Sequence, residues 1–98
     1  MLSLQYGDFS AVFTLFMDKN RLFWASRRGM LELDLILLPF LEQIYPELDA
    51  EDQLRYQQLL DCEDQDMFGW FLRREDPADP ELLKIVRIVR DSRQRVRL

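Results

Sequence analysis

Arg27-Arg28-Gly29-Met30-Leu31-Glu32-Leu33-Asp34 is the stretch on which the fold turns. Two arginines close one helical pattern, Gly29 offers a backbone that takes positive φ without a Cβ clash, and Glu32 and Asp34 open a long apolar run. The arginines suit the negative end of the first helix dipole, and the carboxylates suit the positive start of the second. The segment reads as a corner between two helices. Charge gathered at a break between apolar stretches also marks it as a docking site.

Outward from this corner the apolar spacing is helical, with no alternating run long enough for a convincing strand. A first helix is expected from Asp18 to Arg28 and a second from Leu31 to Tyr45. The second is apolar nearly all round, through Leu35, Ile36, Leu37, Leu38, Phe40, Leu41 and Ile44, which places it in the middle of a bundle. Pro39 should kink it unless it is interrupted there, and Pro46 should stop it. Asp49 caps a third helix that reaches Leu60, and Glu63 or Asp64 starts a fourth carrying Met67, Phe68, Trp70, Phe71 and Leu72. Gly69, among these bulky residues, offers a close helix approach. In Asp76-Pro77-Ala78-Asp79-Pro80 a turn ends with Asp79 as N-cap and Pro80 at the first helical position. The last helix places Leu82, Ile85, Val86 and Val89 on one stripe, and beyond Asp91 the apolar signal fades. The fold class that follows is all-α: a small five-helix bundle.

The chain has 98 residues, enough for one small domain, and seven Phe, two Trp and three Tyr supply its core. Burying one such side chain contributes roughly 1.5–3 kcal/mol, against about 1–2 kcal/mol of backbone entropy for each residue ordered. Cys62 is the only cysteine, which rules out an intramolecular disulfide and fits a reducing compartment. The chain has no histidine, which removes Ser-His and Cys-His nucleophilic pairs and histidine metal ligands. The net charge of −5 is unevenly spread. Nine carboxylates face one arginine between Glu42 and Asp66, whereas six basic residues face Asp91 alone between Lys84 and Arg97.

Residues 1–17 contain no basic n-region and no apolar run of membrane-spanning length. Asp18, a helix-start signal, makes Met17 a plausible initiator and leaves the preceding residues as a flexible extension. The domain is then 18–93, with 94–98 a frayed basic tail. Glu32 and Asp34, two positions apart on a helix, point away from each other and make a poor acid–base pair. The run Asp61, Glu63, Asp64, Asp66 lacks the glycine and ligand spacing of a calcium loop, and helix capping accounts for it. Three isolated glycines make no phosphate loop. Aromatic residues at core spacing in an acidic chain argue against nucleic-acid binding, and Cys62 beside carboxylates should be a less reactive thiol.

The corner carries more than local physics. Arg28-Gly29-Met30-Leu31-Glu32 resembles the Arg-Gly-x-x-Glu signature of the succinate dehydrogenase assembly factors that promote covalent flavin attachment. Trp24, the apolar second helix with Pro39-Phe40, the segment Asp64 to Trp70, and Pro77-Ala78-Asp79 are also similar to that family. The resemblance runs from Asp18 to Arg93. It implies a cytoplasmic, monomeric assembly factor, not an enzyme, that binds the flavoprotein subunit of succinate dehydrogenase and often that of fumarate reductase. It further implies FAD joined to a histidine of that partner, while the residues themselves supply no nucleotide pocket for a cofactor of the factor's own, no nucleic-acid surface and no segment for membrane insertion. Carried onto this chain, the signature implies that Arg28, Gly29 and Glu32 contact the partner, with Arg21, Arg27, Met30 and Asp34 as neighbours. The competing reading from residues alone is a helical interaction module, antitoxin-like, with another client.

Overall fold

A computed structural model describes residues 18–97. The readings made for residues 1–17, including Met17 as initiator, lie outside this range. Among the described residues five α-helices follow one another: α1 Lys19–Ser26, α2 Leu31–Gln43, α3 Ala50–Leu59, α4 Asp64–Leu72 and α5 Pro80–Ser92, with a 3-10 turn at Tyr45–Glu47 between α2 and α3. No strand occurs among the described residues. The expected all-α bundle is the architecture observed.

The caps explain the helix starts. Asp18 accepts from the Arg21 N–H, Asp49 from the Asp52 N–H, and Asp79 from the Glu81 N–H, with Pro80 at the first position of α5. Helices α2 and α4 differ, because their N-caps Met30 and Glu63 make no side-chain cap bond. Helix α2 runs through Pro39 without interruption. The ring leaves the Leu35 carbonyl without its helical donor, and both residues line an open groove rather than the core. Pro46 does not simply stop the chain: it sits inside the 3-10 turn that follows Ile44.

The core is built from one face of each helix. Leu22 of α1, Leu33, Ile36, Leu37 and Phe40 of α2, Tyr56 and Leu59 of α3, Met67 and Phe71 of α4, and Ile85, Val86 and Val89 of α5 are buried together. Helix α2 touches α1, α4 and α5, and α5 packs broadly on α3. Gly69 admits no helix neighbour; a Cβ there would meet the Glu75 carboxylate of the following loop instead. The Gly69 carbonyl accepts from the N–H groups of both Arg73 and Glu75, and Arg74 between them takes φ 59°. The segment after α5 is tied down at Arg97, whose backbone N–H and carbonyl both bond to the Gln43 side chain.

One polar pair lies in the middle of the core. The Tyr56 hydroxyl bonds Ser26 Oγ at 2.7 Å, joining α3 to α1, while its ring packs on Phe40 and Tyr45 with centroids 5.3 and 5.2 Å away. Burial pushes the Tyr56 phenol far above its ordinary value, against a smaller lowering by the Ser26 bond, and burial raises Tyr45 as well. A phenol raised on folding keeps its proton in the native state after the unfolded chain has lost it. Stability is therefore expected to be fully present below about pH 10, the ordinary tyrosine value, and to fall progressively above it. Urea midpoints measured from pH 8 to 11.5 check this. A flat profile would contradict the burial of Tyr56.

Candidate functional site

The corner is held by two side chains, Arg28 and Asp34. Arg28 lies between the C-terminal end of α1 and Gly29, and its guanidinium is turned inward, with the side chain only 15% exposed. Nε donates to Asp64 Oδ1 at 2.7 Å, Nη1 to the carbonyls of Ala25 at 2.7 Å and Leu60 at 3.0 Å, and Nη2 to the Cys62 carbonyl at 2.9 Å. Helix C-termini leave carbonyls without intrahelical donors, and the planar guanidinium fork serves two of them, Ala25 and Leu60, and the Cys62 carbonyl of the α3–α4 connection, while pairing with a carboxylate. Arg28 thereby fastens α1 to the α3–α4 connection and to the first residue of α4.

Its backbone is used as well. The Arg28 N–H donates to Asp34 Oδ1 at 2.7 Å, so Asp34 closes the corner from the first turns of α2. Between them Gly29 takes φ +82°, a region that costs an L-residue roughly 1–2 kcal/mol. A Cβ on Gly29 would meet nothing within 4 Å. The glycine is required by the turn's dihedral, and the space beside it is open.

The other signature residues divide by exposure. Met30 is half-buried and packs against the core. Glu32 is exposed and makes no hydrogen bond or ion pair among the described residues. Arg27 is exposed, with its guanidinium 5.9 Å from the Trp24 ring centroid, within cation–π range. Trp24 itself is 63% exposed and meets Phe23 edge to face. Arg21 is exposed, and its backbone N–H serves the Asp18 cap. The outward surface of the corner is thus Trp24, Arg27, Gly29, Leu31 and Glu32, whereas Arg28, Met30 and Asp34 face inward and set its shape.

Spacing alone did not show that Arg28 would reach Leu60, Cys62 and Asp64, more than thirty residues along the chain. The signal present was Asp64, read as a helix starter. In the structure it also receives Arg28. Cys62 donates weakly to the Gln58 carbonyl, and burial, followed by Asp66 and Asp61, pushes its thiol up, away from reactivity. Part of the basic end is folded inward: Arg90 donates to the Trp70 and Glu75 carbonyls and pairs with Asp76 at 2.9 Å. No described helix is long and apolar enough to cross a membrane.

The described residues thus form a five-helix bundle whose glycine corner is braced from within and bare outside. Residues 20–93 match the family model described as flavinator of succinate dehydrogenase, and the chain belongs to that family. It is 60% identical over 77 residues to the FAD assembly factor SdhE of Pseudomonas aeruginosa, covering 79% of this chain and 92% of that protein. It is 59% identical over the same span to the protein of the same name from Pseudomonas putida, again covering 79% and 92%. The Shewanella oneidensis protein of that name is 46% identical over 74 residues, covering 76% of this chain and 90% of its own length. These relatives place the chain among assembly factors rather than enzymes.

Proposed function

We propose that this protein binds the flavoprotein subunit of succinate dehydrogenase, and that of fumarate reductase, in the cytoplasm and promotes covalent attachment of FAD to a histidine of that partner. The observation that carries the reading is the signature corner in a chain of this family: Glu32, exposed and without a partner among the described residues, beside an open glycine, on a backbone fixed by Arg28 and Asp34. The partner supplies both the flavin and the nucleophile, since this chain contains no histidine. The corner's task is positional. A rigid surface that holds the partner with its histidine close to the flavin removes part of the entropy cost of bond formation, a term that reaches roughly 7–11 kcal/mol in well-oriented systems. In this reading Glu32, Arg27 and Trp24 touch the partner, and Arg28, Met30 and Asp34 act through the shape they maintain.

The decisive test is covalent flavin fluorescence of the flavoprotein subunit on a denaturing gel, from cells with and without this chain. Fluorescence lost without the chain and restored with it supports the reading; equal fluorescence in both contradicts it. Glu32→Ala separates docking from folding. The melting temperature should fall by no more than about 4 °C, because an exposed surface substitution changes stability by under about 0.5 kcal/mol and each kcal/mol moves a domain of this size by roughly 4–8 °C. Flavin attachment should fall severalfold. Wild-type attachment with Glu32→Ala would remove that residue from the site.

A further inference from the structure

Helix α2 has two apolar faces, and the bundle covers one of them. Leu33, Ile36, Leu37, Phe40 and Ile44 point into the core. Leu31, Leu35 and Leu38 recur at i, i+4 and i+7, the spacing of a second stripe, and line an open groove with Pro39 and with Phe23 of α1. Leu31 is 70% exposed, Leu35 49% and Phe23 40%. Isolated exposed apolar residues are ordinary, but a contiguous set along one helix is not. The groove's volume is 1110 Å³, above the about 300–1,000 Å³ typical of small-molecule clefts. A helix apolar all round needs neighbours all round, and among the described residues α2 has none on this side.

We propose that this groove is the second half of the partner interface and receives an apolar segment of the flavoprotein subunit, laid along α2 as a helix lies in a groove. The inference rests on the docking reading of the corner and extends it. Leu31 and Glu32 are consecutive, so one turn of α2 serves both surfaces, and Asp34, which holds the Arg28 backbone, also lines the groove. The stripe from Leu31 to Leu38 runs about 10 Å, two helical turns. Exposed carboxylates bracket it, Glu32 at the corner end and Glu42 at the far end, and Lys19 and Arg97 add to the rim. An apolar floor with a charged rim is the anatomy of a protein–protein interface. The occupant that fits presents two or three large apolar side chains at helical spacing, flanked by a basic residue toward Glu32 or Glu42.

The test is the affinity of the purified full chain for the flavin-free flavoprotein subunit, by biolayer interferometry, with sedimentation of the chain alone. Leu35→Asp should weaken binding at least tenfold and leave the melting temperature nearly unchanged, because Leu35 lies outside the core. Leu72→Asp, at an exposed large apolar residue that lines neither the groove nor the corner, should bind as wild type. Binding by Leu35→Asp within twofold of wild type, with Glu32→Ala still impaired, overturns the groove and leaves the corner standing. No binding by the wild-type chain at micromolar concentration overturns both. A chain dimer that Leu35→Asp dissociates assigns the groove to a second copy. A tenfold gain in affinity from Phe13→Asp assigns it to the N-terminal segment. Either of these last results overturns the proposal.

Discussion

Replacing Arg28 with alanine is expected to destabilise the protein by about 2–4 kcal/mol, the scale of a lost inward-facing charged hydrogen-bond network. Four bonds disappear at once, and three carbonyls from α1 and the α3–α4 connection, together with Asp64, lose their donor. For a domain of this size each kcal/mol lowers the melting temperature by roughly 4–8 °C, so a drop of some 10–25 °C is expected by circular dichroism. Arg28→Lys should recover less than half of it. A single ammonium on a flexible stem cannot serve Asp64 and three carbonyls spread around a planar fork. Asp64→Asn should cost less than Arg28→Ala, because Asp64 is one of four acceptors and its side chain is 38% exposed. A melting temperature within 2 °C of wild type for Arg28→Ala would show that the clasp does not hold the corner. The signature arginine would then have to be explained by direct partner contact.

The second large effect is on function. Gly29→Arg is expected to fold yet lose more than nine-tenths of flavin attachment. The φ of +82° strains any L-residue by about 1–2 kcal/mol, which a domain of ordinary stability survives. The new side chain extends into open space, at the centre of the proposed docking surface. Gly29→Ala is the companion variant. It bears the same dihedral strain without the long cation, so its melting temperature should match that of Gly29→Arg while most attachment is retained. Equal loss of attachment in both variants would mean that the turn's geometry, not an obstructed surface, is what the glycine protects.

Much of the helical framework could be read from the chain because its signals are local. Asp49, Asp79 and Pro80 mark starts through bonds and dihedrals that span two or three residues, and those caps are found in place. The stripe of Ile85, Val86 and Val89 is equally local, since helical period alone puts those side chains on one face. The first helix is shorter than expected, ending at Ser26, because the chain must leave helical geometry before the Gly29 turn. The second ends at Gln43, and a 3-10 turn absorbs Tyr45 and Pro46.

The corner shows where such reading stops. Sequence supplied the positive-φ requirement at Gly29, the helix break and the signature, because each is a property of neighbouring residues. It did not divide Arg28 from Arg27, two adjacent arginines of the same charge and reach. Only the tertiary structure turns one inward to carbonyls and a carboxylate more than thirty residues away and leaves the other on the Trp24 ring at the surface. The same holds for α2. Its composition called for a buried helix, and packing alone decided that Leu33 and Leu37 would be enclosed while Leu31 and Leu35 faced an open groove. Burial depends on which elements arrive on each side, and among the described residues α1, α4 and α5 reach α2 without covering the stripe from Leu31 to Leu38.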